Sequence, residues 1–113
     1  MEISKFKIFW AQLTEVGKYI QSGVRPVLVL GNDKTNRFSE VVTVLPISSK
    51  INKGANIPTH IILSDALKKQ SVILPEQIRT IPKSCLMGPC IYTLNEDEKN
   101  KVKNAVVRQL GIA

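Results

Sequence analysis

Two side chains in this 113-residue sequence are spaced for phosphate chemistry, Arg25 and Ser48. A guanidinium presents a planar fork of donors that matches phosphate oxygens, and a hydroxyl adds one more. Arg25 stands at the start of an apolar run over residues 24–30, and Ser48 just past the end of a second run over 41–47. Both runs are rich in Val and Leu, of strand length, and bounded by turn residues, which reads as β. The polar connection 31–40 carries Gly31, Asn32, Asp33 and Asn36, whose turn chemistry suits antiparallel neighbours. The start of the first strand then lies beside the end of the second. An anion site built by Arg25 and Ser48 at one edge of a sheet is the expectation.

Other polar groups are expected to gather at that edge. The segment 48–57 leaves from it, which brings Ser49, Lys50 and Lys53 near Arg25 as contacts for a nucleic-acid backbone. His60, the one histidine, begins a strand over 58–63. In a hairpin with 41–47 it lies near Ser48, where a group titrating near neutrality can move protons. Gln21, in the loop 14–23, and Gln77, in 71–81, are candidate readers of base edges. Arg79 would track the backbone, or else pair with Glu76 or a partner subunit. Cys85 and Cys90 lie five apart without the spacing of a redox or zinc pair, and read as reduced thiols. No metal set and no cofactor motif is apparent.

The elements that must position these groups follow from composition and pattern. Hydrophobic residues make up 43% and charged ones 22%, as in ordinary globular proteins. A formal charge of +7 suits a polyanionic partner such as nucleic acid. No apolar run is long enough to span a membrane, and residues 1–7 lack a signal core, so the expected location is the cytoplasm. Residues 5–13 read as a strand, with Phe6, Ile8 and Trp10 on its buried face and Phe9 on the other. Residues 64–70 read as a short helix or turn capped by Ser64. The longest strand is expected over 71–81, with Pro75 marking a bulge or an edge. Gly88-Pro89 reads as a turn before a short final strand around Ile91. A helix over 96–110 has Asn95 as cap, Glu98 completing a capping box, an apolar stripe of Val102, Ala105, Val106 and Leu110, and Gly111 as stop. The expected fold is mainly β with a C-terminal helix: one domain over 1–113, a small SH3-like barrel of five to seven strands.

Five blocks in register, GVRPVLVLGND at 23–33, NRFS at 36–39, LPIS at 45–48, PTH at 58–60 and SVILPEQIRTIPK at 71–83, resemble the MazF/PemK family of toxin endoribonucleases, the mRNA interferases. The resemblance runs from about residue 8 to the terminal helix. It implies a homodimeric SH3-like barrel, a cognate antitoxin, and DNA contact only through that antitoxin. It also implies metal-independent cleavage of single-stranded RNA at short sequences. The family's catalytic arginine carries over onto Arg25, and its catalytic threonine onto Ser48, which keeps the hydroxyl. Two blocks depart from the family. Lys5-Phe6-Lys7 stands where an Arg-Gly-Asp or Gly-Asp is usual, and Lys18-Tyr19-Ile20-Gln21 where Gly-Ser-Glu-Gln is common. Ile20 thereby removes an acid that the family sets near the cleavage site. The competing reading is a noncatalytic toxin of the same fold that acts by binding gyrase or RNA.

Overall fold

The two apolar runs are adjacent strands. In the computed structural model, which describes residues 2–49, 60–63, 67 and 70–112, β1 (Lys7–Leu13), β2 (Gly23–Val29) and β3 (Val41–Ser48) are successive antiparallel neighbours. Ile8 pairs with Leu28 and Leu13 with Gly23, while Val27 pairs with Pro46 and Val29 with Val44. Side chains alternate across a strand, and here both faces are apolar. Leu28 joins Ile8, Leu45 and Ile47 in one core cluster, and Val27 and Val29 join Phe9, Val42 and Val44 in another. A sheet with two apolar faces must be covered or curled on both.

The rest of the chain supplies that cover. β4 (Ile61–Leu63), β5 (Ser71–Ile73), β6 (Arg79–Pro82) and β7 (Leu86–Thr93) complete a seven-stranded sheet among the described residues. Its order is β4-β5-β3-β2-β1-β7, with β6 also paired to β3. A short helix, α1 (Asp33–Phe38), fills the connection from β2 to β3, and α2 (Glu96–Leu110) follows β7. α2 lays Val102 and Ala105 on the first cluster. Its capping box is formed: Glu98 N donates to Asn95 Oδ1 and Asn95 N donates to Glu98 Oε1, both at 2.8 Å. Gly111 ends it at φ 66°, a left-handed angle that glycine adopts without steric cost. The mainly β architecture and the terminal helix are those the pattern implies. No helix among the described residues is long and apolar enough to cross a membrane.

Several local expectations are corrected. Phe9 is fully buried and Trp10 is 43% exposed, the reverse of the expected core assignment. The cause lies on the partner strand, where Ile8 pairs with Tyr92 but Trp10 already pairs with Met87. Gly88, at φ 70°, sits in this bulge within β7 rather than in a turn that ends a strand. Ile8 therefore lies in the cluster that α2 covers, and Trp10 stands past it. The span 71–81 is not one strand, because Pro75 opens a 3₁₀ turn, Pro75–Gln77, between β5 and β6. The connection 31–40 holds a helix, α1, capped by the Asn32 side chain on Thr35 N at 2.8 Å. Leu110 is half exposed and does not complete the buried stripe of α2. Ser64 and most of the expected turn at 64–70 lie outside the described residues.

Candidate active site

Arg25 lies on β2 and Ser48 on β3, toward the same end of that antiparallel pair. The ladder between β2 and β3 ends at Val27–Pro46, two residues short of both, and Ser48 pairs with Val72 of β5. Alternation also gives them one face. Arg25 shares parity with Val27 and Val29, and Ser48 with Val42 and Val44, all four of these valines belonging to the second core cluster. Arg25 is half-buried, Ser48 is buried at 4% exposure, and Ser49 beside it is exposed.

The loop over residues 14–22 holds the guanidinium in a fixed aspect. Arg25 Nε donates to Ser22 O at 3.0 Å. Gln77 and Arg79 reach the same loop. Gln77 Oε1 accepts from Gln21 N at 2.8 Å and Gln77 Nε2 donates to Tyr19 O at 3.1 Å. Arg79 Nη1 donates to Thr14 O at 3.4 Å and to Gln21 O at 3.5 Å. Gln21 Oε1 is shielded from solvent. Of the residues expected to touch RNA, Gln21, Gln77 and Arg79 thus converge near Arg25, but on one another and on the loop backbone. Tyr19 (φ 75°) and Ile20, where the family's acid is missing, are exposed at the tip.

His60 is not beside Ser48. β5 intervenes between β4 and β3, because Ile61 pairs with Ile73 and Ile73 pairs with Ile47. The expected hairpin of β4 with β3 is therefore absent. His60 Nε2 instead meets Glu76 Oε2 at 2.6 Å, with the His60 side chain only 6% exposed. Glu76 is thus engaged by His60 rather than by Arg79. No local signal in the sequence pairs these two, since the contact depends on how β4 and the 3₁₀ turn meet in space. The carbonyls of Ser22 and Thr14 were equally invisible, because any residue type supplies one. Lys50 and Lys53 lie outside the described residues.

Other groups are remote from this edge. Among the described residues, no three His, Cys, Asp or Glu side chains converge as metal donors. Cys85 and Cys90 are free thiols. An open cavity of ≈ 560 Å³, lined by residues that include Asp33, Asn36, Arg37 and Lys83, lies against α1 beyond the opposite end of β2.

Comparison with known proteins bears on this geometry. The family described as PemK-like, MazF-like toxin of type II toxin–antitoxin systems matches residues 4–110. A curated protein of Staphylococcus saprophyticus, named endoribonuclease MazF, is 40% identical over 108 residues, covering 93% of this chain and 88% of its own. A crystal structure of MazF from Deinococcus radiodurans superposes with a TM-score of 0.83 at 20% identity, covering 98% of each chain. A MazE–MazF structure from the same organism gives 0.79 at 19% identity, over 100% of this chain and 99% of the other.

Proposed function

The chain belongs to the PemK-like, MazF-like toxin family of type II toxin–antitoxin systems, and from that premise we propose that it cuts single-stranded mRNA at a short sequence through Arg25 and Ser48. It is a MazF-type endoribonuclease, and 1–113 acts as one toxin domain. What supports the reading is the position of Arg25 and Ser48 at the same end of the β2–β3 pair and, by strand alternation, on one face, with Arg25 half-buried.

RNA brings its own nucleophile, so no metal is required to generate one. The 2′-hydroxyl loses its proton to solvent as its oxygen attacks the adjacent phosphorus, the bond from phosphorus to the 5′-oxygen breaks, and the 5′-oxygen takes up a proton from solvent, giving a 2′,3′-cyclic phosphate and a 5′-OH. Charge on the phosphorane is what the protein must meet. A single preorganised donor aimed at such charge is worth about 3–4 kcal/mol. Arg25 provides two parallel donors through its terminal nitrogens, and Ser48 a third. Arg25 does not serve as the base, since a guanidinium has no acceptor and keeps its protons. It stabilises the charge that develops on the phosphorane. His60, engaged with Glu76 and separated from β3 by β5, has no direct part in proton transfer. Ser49, Lys50 and Lys53 follow Ser48 in the chain and hold the flanking backbone.

The partners in this reading are a cognate antitoxin and a second copy of the chain. Trp10 and Met87 pair across β1 and β7, Val24 lies diagonal to Trp10 on β2, and all three are exposed. An apolar patch of this kind suits a protein partner.

The test is incubation of the purified protein with a long single-stranded RNA in EDTA, followed by mapping of the cut ends. Cleavage at a recurrent sequence, with 5′-OH ends and abolished by Arg25→Ala, is expected. Binding without cuts, or cuts that survive Arg25→Ala, would overturn the proposal.

A further inference from the structure

We propose that Gln77, assisted by Arg79, is a positioning residue that clasps the loop over 14–22 so that the Ser22 carbonyl aims Arg25 at the scissile phosphate; it is not a reader of bases. The inference rests on the nuclease reading above and assigns to Gln77 a role distinct from RNA contact. Both ends of its amide are committed to loop backbone, Oε1 to Gln21 N at 2.8 Å and Nε2 to Tyr19 O at 3.1 Å. A side chain satisfied in this way has little left to offer a base edge.

The loop needs such a clasp. Among the described residues, its own backbone makes one internal bond, Ile20 N to Gly17 O at a long 3.4 Å. Residues 14–20 are all exposed, so burial does little to order them. Tyr19, at φ 75°, takes a left-handed backbone angle that is unfavourable for a residue with a side chain and that an unheld loop would abandon. Order must come from outside, and Gln77, Arg79 and Arg25 are the side chains that supply it. Since Arg25 Nε bonds to Ser22 O, one residue beyond Gln21, the clasp and the aim of the guanidinium are mechanically joined.

The clasp is itself braced. Gln77 sits in a tight turn whose backbone closes through Gln77 N to Leu74 O at 3.0 Å and Ile78 N to Pro75 O at 3.2 Å. Glu76, on the same turn, is pinned to β4 by His60 at 2.6 Å. Leu74 N donates to Pro46 O at 3.0 Å, which ties the turn to the strand that carries Ser48. A site is held to its productive geometry by side chains that are locked in turn by a supporting shell. His60 and Glu76 thereby have a purpose in the reaction without touching the RNA.

The experiment compares the full-length protein with Gln77→Ala and Gln77→Glu. Gln77→Glu keeps the acceptor for Gln21 N and loses the donor to Tyr19 O. Single-turnover cleavage of a labelled RNA, the sequence at the cut, KM, and hydrogen exchange at the Gln21 amide are measured. In Gln77→Ala a fall in the cleavage rate of about 10- to 100-fold is expected, the scale set by small misplacements of a catalytic group. KM and the cut sequence stay as in the parent, exchange at Gln21 accelerates, and Gln77→Glu recovers part of both rate and protection. A changed cut sequence at near-normal rate would identify a base reader and overturn the proposal. Unchanged exchange at Gln21 in Gln77→Ala would also overturn it. A parent protein that cuts no RNA would defeat the nuclease reading, while the exchange measurement still decides the clasp.

Discussion

Replacing Arg25 by lysine keeps the positive charge and removes the fork. Arg25 is half-buried near the start of β2, with Nε committed to Ser22 O at 3.0 Å. Lysine supplies one ammonium on a flexible stem and has no nitrogen at the Nε position, so it loses both the anchor and one of the two parallel donors. Loss of a single donor aimed at developing charge lowers kcat by about 10²–10³-fold. The retained charge offsets a part of that, leaving an expected loss of about 10²-fold, or roughly 2.7 kcal/mol of transition-state stabilisation. KM should move little, because charge attraction to the RNA backbone survives. The assay is single-turnover cleavage of an end-labelled oligoribonucleotide at fixed ionic strength, with thermal unfolding of each variant alongside. Arg25→Lys cleaving within threefold of the parent would refute the argument that geometry, beyond charge, is what Arg25 contributes.

Two further outcomes follow from the fold. Phe9→Ala should cost about 3–5 kcal/mol in urea unfolding, the usual penalty for emptying a buried aromatic site, whereas Trp10→Ala, at a 43% exposed position, should cost far less; the reverse order would contradict the bulge in β7. The Asp33 carboxyl is held below the ordinary carboxylate range, first by the Lys5 backbone N–H that it accepts at 2.7 Å and next by the Asn36 side chain. A depressed folded-state pKa contributes stability that is present above the unfolded value, about 3.9, and is lost as pH falls through the folded one. Asp33→Ala should therefore lower the urea midpoint at pH 7, with the difference from the parent closing as pH drops below about 4; a difference that is constant with pH would rule the carboxylate out as its source.

How much of this was legible in the sequence depends on how local each cause is. The β2–β3 pair was readable because apolar runs and turn residues are contiguous, and the antiparallel pairing that follows puts Arg25 and Ser48 toward the same end of it. α2 was readable down to its capping box, since Asn95, Glu98 and Gly111 act within a turn of the helix end. Trp10 was misassigned because its exposure is decided by extra residues in β7, nearly eighty positions away. The single strand expected over 71–81 failed because Pro75 opens a turn there instead of sitting in a bulge. His60 was put beside Ser48 on the assumption that consecutive strands pair, whereas β5 takes the edge of β3 that β4 would have used. Gln77 and Arg79 reach the loop that also anchors Arg25, and their partners there are backbone carbonyls and an amide, groups that carry no residue signature.

The most direct measurement of the central claim is a double-mutant cycle on Arg25 and Ser48. Rates of single-turnover cleavage are compared for the parent, Arg25→Ala, Ser48→Ala and the double variant, each shown to be folded. Two donors acting on one phosphorane lose most of their joint effect when either is removed, so the double variant should be scarcely slower than Arg25→Ala alone. Losses that multiply independently would mean that the guanidinium and the hydroxyl serve different atoms, and the site described here would not be the one that cuts.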